Sequence, residues 1–324
     1  MKRLTSDNKM LGYELMKAYP NISCFSTTRH GGCSKGNYAS FNCNGYCGDN
    51  PEDVALNREM LCALLPVTPI ELVIPHQTHS DQVRIVDATY INRCAEDRKT
   101  SPIVTESPKD RKTSPVGMDS FEDRKTSPDG MNSFEHRKTS PVGADPCVRP
   151  NTQLEGIDAL VTRLPGYCLC ISTADCVPVL LYAPHTQAIA AIHAGWRGTV
   201  SRIVENTLTL MSEQYGTQGK DLIACIGPSI SLEAFEVGDE VYHAFHEAAF
   251  DMNIIARKES KWHIDLWEAN RQQLLAHGVK PENIEISGIC TYHNNDDFFS
   301  ARRQGINSGR ILSGIMIHPS VGAD

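Results

Sequence analysis

Tyr167-Cys168-Leu169-Cys170-Ile171-Ser172-Thr173-Ala174-Asp175-Cys176-Val177-Pro178-Val179-Leu180-Leu181-Tyr182, followed after the turn residues Ala183-Pro184-His185-Thr186 by Ala188-Ile189-Ala190-Ala191-Ile192-His193, is the stretch that decides the fold class. It holds three apolar runs, 167–173, 177–182 and 188–193, each too short for a stable helix and rich in Val, Ile, Leu and Cys, which predicts buried strands. Pro184 suits the second position of a type I turn over 183–186, and the last two runs then pair as a hairpin. In that register the numbers of facing residues sum to 369, and Cys176 lies opposite His193 on the same face, with Cβ atoms roughly 4.5–5.5 Å apart. A slip of one residue would send them to opposite faces. If the register holds, a thiolate and an imidazole can share one ion.

Working outward, residues 199–214 read as a helix, apolar at Val200, Ile203, Val204, Leu208 and Met211. A strand is expected at 222–226, ended by Gly227-Pro228, then helices at about 238–249 and 265–277, the second stopped by Gly278, then strands at 284–290 and 310–317. Upstream, Asn50-Pro51-Glu52-Asp53 opens a helix running to about Leu65, with Asn as N-cap, Pro in the first turn and acids at the positive end of the dipole. The run 72–75 leads into His76-Gln77-Thr78-His79 on a loop or strand end, and 82–86 has β character. Hairpins beside crossovers argue for an α+β sandwich over a regular parallel sheet.

The chain has 324 residues, 40% of them hydrophobic, and no run near the ~20 apolar residues a membrane helix needs, so it can bury a large core in water. The start, Met1-Lys2-Arg3-Leu4-Thr5-Ser6-Asp7, lacks an apolar export segment, and a cytoplasmic location is the expectation. A net charge of -8 gives no general attraction for nucleic acid or membrane. The 12 cysteines sit mostly inside apolar runs such as 168–171, which predicts reduced thiols. One stretch breaks the composition: Arg-Lys-Thr-Ser-Pro recurs at 98, 111, 124 and 137, thirteen residues apart. Its units are too polar for stacking to offset the entropy of ordering them. We read about 96–150 as a flexible surface insertion into a single domain spanning 1–324, because the apolar style resumes on both flanks.

Cys176 and His193 stand at strand ends beside turn residues, where sites usually form. Zinc takes imidazole nitrogen and thiolate sulfur together, and a catalytic site keeps one tetrahedral position open. A third ligand is required; His79 is the best candidate and His76 the second. From spacing alone, a small core cysteine and a hydrogen-bonded core histidine are the more frequent account of the pair, since His and Cys triplets arise by chance in a chain with 12 of each.

Thr27-Thr28-Arg29-His30-Gly31-Gly32, Gln77-Thr78-His79, Asp158-Ala159-Leu160-Val161-Thr162, Thr173-Ala174-Asp175-Cys176-Val177-Pro178, His193-Ala194-Gly195-Trp196-Arg197-Gly198, Cys290-Thr291-Tyr292 and Phe298-Phe299-Ser300-Ala301-Arg302-Arg303 occur in this order. Together they resemble the YfiH family, also called polyphenol oxidase laccases, over most of 12–95 and 155–317. The resemblance implies a layered α/β/β/α sandwich with mixed sheets. It also implies a purine nucleoside phosphorylase with adenosine deaminase and methylthioadenosine phosphorylase activities, and a zinc site whose ligands map onto His79, Cys176 and His193. Copper is the alternative metal. The chain departs from the family pattern at Thr78 and Ser80, where the motif is closer to Gln-Val-His-Gly, and in carrying the repeats.

Phosphorolysis needs an anionic nucleophile held in place, which is work for the arginine fork. Arg29, Arg197, Arg302 and Arg303 lie within or beside the matched motifs; the last two are adjacent, so in a strand only one would point inward. Asp175 is a candidate partner of the site, as proton acceptor or as a turn cap. The partners expected are a purine nucleoside and phosphate, with the chain a monomer or a homodimer. Rival readings are a metal-free Cys-His hydrolase or amidase with Cys176 as nucleophile, a copper polyphenol oxidase, and a scaffold with a structural metal. The copper oxidase is disfavoured because no His-X-His pair occurs in the chain.

Overall fold

The computed structural model describes residues 1–3, 9–100 and 152–320. One six-stranded sheet is ordered β1 (Lys2–Arg3), β2 (Met10–Gly12), β3 (Ile22–Thr27), β15 (Ile311–Ile317), β7 (Tyr167–Thr173), β4 (Glu71–Val73). The other is ordered β14 (Ile284–Ile286), β10 (Ile223–Ile226), β8 (Val177–Ala183), β9 (Ala188–Ala194), β6 (Ala159–Thr162), β5 (Val83–Ile85). Both are mixed: β4 runs parallel to β7, β5 to β6 and β10 to β14, and the remaining pairs are antiparallel. A small third sheet joins β11 (Glu236–Val237), β13 (Trp262–Ile264) and β12 (Ala256–Lys258).

The side-chain alternation of the strands sorts these sheets into layers. On β7, Leu169 and Ile171 pack between the two sheets with Leu180, Tyr182, Ile189 and Ala191. Cys168 and Cys170 face the other way, onto Leu61 of helix α1 (Pro51–Leu64). On β8, Val177, Val179 and Leu181 meet Val204, Leu208 and Met211 of α4 (Ile203–Tyr215), Phe245 of α5 (Asp239–Glu247) and Leu274 of α7 (Leu266–Ala276). The order is helix, sheet, sheet, helix, as the resemblance implies. Burying each such side chain contributes about 1.5–3 kcal/mol, so the three apolar interfaces dominate the stability. Helices α2 (Ala88–Thr100), α3 (Trp196–Val200), α6 (Met252–Ile255) and α8 (Ala301–Gln304) complete the set.

Asn50 caps α1 by accepting the Glu52 N–H at 3.0 Å, and Asp265 caps α7 through Glu268. Gly278 ends the latter at φ 83°. Two expectations are corrected. The hairpin register sums to 371, with Pro178 opposite His193 and four residues between the paired Ala183 and Ala188. The turn is wider than a type I closure over 183–186, with Gln187 at φ 51°. The shift is of two residues, so every side chain keeps its face. The single helix expected at 199–214 is two, α3 and α4, broken at Arg202 with φ 61°. There the guanidinium reaches the Ala248 carbonyl, Glu205 at 3.1 Å and the ring of Phe250 at 3.8 Å, contacts a continuous helix would forgo.

The insertion read at 96–150 begins inside α2, and from 101 onward it lies outside the described residues. The described cysteines are all free thiols.

Candidate metal centre

Between Thr173, which ends β7 in one sheet, and Val177, which starts β8 in the other, only three residues carry the chain across the sandwich. Asp175 makes the corner in the left-handed region, φ 86°, a conformation costing a non-glycine residue about 1 kcal/mol. Its carboxylate accepts the Thr291 hydroxyl at 2.7 Å and the Arg302 N–H at 2.6 Å, and its carbonyl accepts Ile230 N–H at 2.9 Å. These bonds hold the strained corner and so place Cys176.

His193 is the penultimate residue of β9, on the inter-sheet face with Ile189 and Ala191 and 3% exposed. Its Nδ1 lies 2.6 Å from Oδ1 of Asp158, a carboxylate with no solvent exposure, and its peptide N–H donates to the Asp158 carbonyl at 2.7 Å. His79 sits on the loop between β4 and β5 at φ 63°. The peptide N–H groups of Thr78, His79 and Ser80 all donate to the Asp158 carboxylate, at 3.1, 3.0 and 2.8 Å. The same loop is tied to β7 by the Gln77 side-chain amide, which donates to the Ser172 carbonyl and accepts its N–H. Ser80, where the resembled family has glycine, uses its hydroxyl 2.7 Å from Asp158 Oδ2.

The outcome is a three-donor cluster: one nitrogen each from His79 and His193 and the sulfur of Cys176 all lie within 4.8 Å of one another. His79 Nε2 stands 3.7 Å from Cys176 Sγ, and the two imidazoles meet edge to face at 4.9 Å between centroids. Two donors at ordinary zinc–nitrogen and zinc–sulfur lengths on a tetrahedral ion are about 3.6 Å apart, so the residues fit such an ion. Because Nδ1 of His193 is engaged by Asp158, Nε2 is its free donor. Gly195 closes one wall: a Cβ there would come within 3.0 Å of both Cys176 Sγ and His79 Cδ2.

Burial pushes the Cys176 thiol up, but the charge of His193 and hydrogen bonds from both imidazoles outweigh it and bring it down to about 6. Burial likewise opposes charge on His193, yet the thiolate and Asp158 raise it to about 9. Asp158 is disfavoured as an anion by burial, and its bonds to His193 and Ser80 win, leaving it below its ordinary value. Without an ion the site is a thiolate–imidazolium pair in the neutral range.

Of the residues read from sequence, the structure brings His79, Cys176 and His193 together. His76 is elsewhere: its Nδ1 pairs with Glu155 at 2.7 Å and its ring stacks on Tyr46 at 4.5 Å. Arg29 spends three N–H groups on carbonyls, two on Ala39 and one on Asn295, with its guanidinium over Phe299 at 4.9 Å. Arg302 and Arg303 are on the helical turn α8, not in a strand, and donate to the carbonyls of Glu236 and Tyr292. Arg197, in the first turn of α3, lies over Trp196 at 4.3 Å. Asp175 acts as a brace. Asp158 was visible only as the first residue of a matched motif, since three of its partners are backbone N–H groups some eighty residues away and the others, the His193 ring and the Ser80 hydroxyl, meet it only in the fold.

The family profile described as multi-copper polyphenol oxidoreductase laccase matches residues 23–110 and 132–318. A protein of Bacteroides thetaiotaomicron named purine nucleoside phosphorylase is 49% identical, the alignment covering 98% of this chain and all of the relative. A protein from an unknown prokaryotic organism, named adenosine deaminase RL5, is 35% identical over 93% of this chain and 96% of its own. The crystal structure of the Bacillus licheniformis hypothetical protein YfiH superposes with a TM-score of 0.74 at 25% identity, covering 96% of this chain and 97% of that one. YlmD from Geobacillus stearothermophilus gives 0.73 at 26% identity, with 97% and 98% covered.

Proposed function

The chain belongs to the YfiH family, the multi-copper polyphenol oxidoreductase laccases, and from that premise we propose that it is a purine nucleoside phosphorylase that also deaminates adenosine, working at a zinc centre held by His79, Cys176 and His193. The observation that carries the reading is the convergence of two imidazoles and a low-pKa thiol into one three-donor group. Relatives named for both activities support the substrate class, purine nucleosides with phosphate as co-substrate, and we extend it to methylthioadenosine. A bound divalent ion would supply Lewis acidity.

Phosphorolysis breaks the bond from ribose C1′ to the purine nitrogen and makes one from C1′ to a phosphate oxygen. The protein's share is to hold phosphate and sugar in line and keep water away. Arg29, Arg197, Arg302 and Arg303 are our candidates for phosphate, with Asp175 as brace. Arg197, Arg302 and Arg303 are exposed, and each keeps N–H groups beyond its present bonds. The copper oxidase of the family description calls for several ions, whereas the described residues assemble one such group. Among the described residues no helix is long and apolar enough to cross a membrane, and free thiols accord with a reducing compartment such as cytoplasm.

A second reading has one specific observation in its favour: Cys176, His193 and Asp158 also form a chain of thiolate, imidazolium and carboxylate, as in a cysteine hydrolase. Incubating pure protein with inosine and adenosine, with and without phosphate, and weighing the products separates the two. Ribose 1-phosphate formed only with phosphate, together with stoichiometric zinc that disappears in Cys176→Ala and His79→Ala, is expected. No product from any purine nucleoside, or an acyl thioester trapped on Cys176, overturns the proposal.

A further inference from the structure

We propose that Asp158 is the positioning residue of the metal centre, a single buried carboxylate that orients two of the three donors at once; the inference rests on the metal reading above. Its Oδ1 is shared between the ring of His193, at Nδ1, and the peptide N–H of His79. Its Oδ2 gathers the N–H groups of Thr78 and Ser80 and the hydroxyl of Ser80. The first arrangement keeps the proton of His193 on Nδ1 and its lone pair on Nε2, where the cluster needs it. Together the two oxygens take three successive peptide N–H groups, and this holds His79 in the left-handed conformation that turns its ring toward Cys176. Among the described residues no other side chain hydrogen-bonds both the His79 backbone and the His193 ring, and the His79 ring has its one side-chain hydrogen bond with Cys176.

Asparagine tests this because it has nearly the same shape and only one acceptor. With its oxygen toward His79 and His193, its NH2 faces the N–H groups of Thr78 and Ser80 and pushes the loop away. Flipped, the NH2 donates to His193 Nδ1, which moves the ring proton to Nε2 and blocks that donor. The metal-stripped protein and Asp158→Asn are titrated with Co2+, following the thiolate charge-transfer and d–d bands, and then with Zn2+ in competition. The expected result is a folded variant, by circular dichroism, whose affinity for both ions falls ~10–100-fold with altered d–d bands. A folded variant that binds within about twofold of the parent and gives the parent's spectrum overturns the proposal, because a merely structural carboxylate would lower the melting temperature and leave both unchanged. If the parent itself binds neither ion, the metal reading falls and this proposal with it, whereas a parent that binds and a variant that binds equally well sink this proposal alone. Should Asp158→Asn not fold, Ser80→Ala removes one donor from Oδ2 and keeps the charge: severalfold weaker Co2+ binding is expected, and an unchanged affinity overturns the proposal.

Discussion

At Gly195 the backbone angles, φ -66° and ψ 171°, suit any residue, so what excludes a side chain is crowding alone. Gly195→Ala would press a methyl group against the Cys176 sulfur and the His79 ring, and we expect roughly tenfold weaker metal binding in a protein that still folds, read by metal analysis after dialysis. Cys176 carries a second prediction. In the metal-stripped protein its alkylation by iodoacetamide should rise with pH about a midpoint near 6, since the reactive thiolate forms above that value. His193→Gln removes the charge that offsets burial, so the midpoint should move up past the ordinary thiol value. Ion binding between about pH 6 and 9 should also release the proton that His193 carries, measurable as acidification in weak buffer. The strand-end positions of Cys176 and His193 were legible in the sequence, but with 12 cysteines and 12 histidines in the chain it was the family resemblance that singled out the set His79, Cys176 and His193. The role of Asp158 was not legible, because it lies in joining the His193 ring to a row of backbone N–H groups that no residue spells.

Among the elements, the α3–α4 break is the most exposed to a single change. Arg202→Ala keeps the left-handed φ and discards the contacts with Ala248, Glu205 and Phe250, so we expect a loss of about 2 kcal/mol, read by denaturant unfolding. Sequence periodicity saw one helix because Val200, Ile203, Val204, Leu208 and Met211 continue the same apolar stripe across the break. Strands 167–173, 177–183 and 188–194 were legible to within a residue because their neighbours on both faces are apolar. β3 was not: Ser23, Ser26 and Thr27 make it look polar, yet each is buried with a partner, His318, Tyr13 and Ser313, and the Leu312 N–H respectively. The hairpin was misjudged by two residues for a comparable reason, since Pro184 marks a turn without stating its width.

For the whole molecule, an ion held as proposed by His79, Cys176 and His193, donors from three separate segments of the chain, would bind the folded state in preference to the unfolded one. Free zinc at a hundred times its dissociation constant should therefore raise stability by about 2.7 kcal/mol, and chelation should lower the melting temperature accordingly. An α+β sandwich followed from short buried strands beside amphipathic helices, its layering came only through the family resemblance, and the order of strands within each sheet came from neither, because it depends on pairings across the full length of the chain. That order has a practical corollary. β3, β4 and β5 come from before residue 101, and each sheet zips them against partners from after residue 151: β3 on β15, β4 on β7, β5 on β6. Severing the backbone anywhere in 101–151 should thus yield two polypeptides that cannot part without tearing both sheets. A nicked preparation should elute at the size of the intact protein and retain its ion, making this a natural place to build a split reporter.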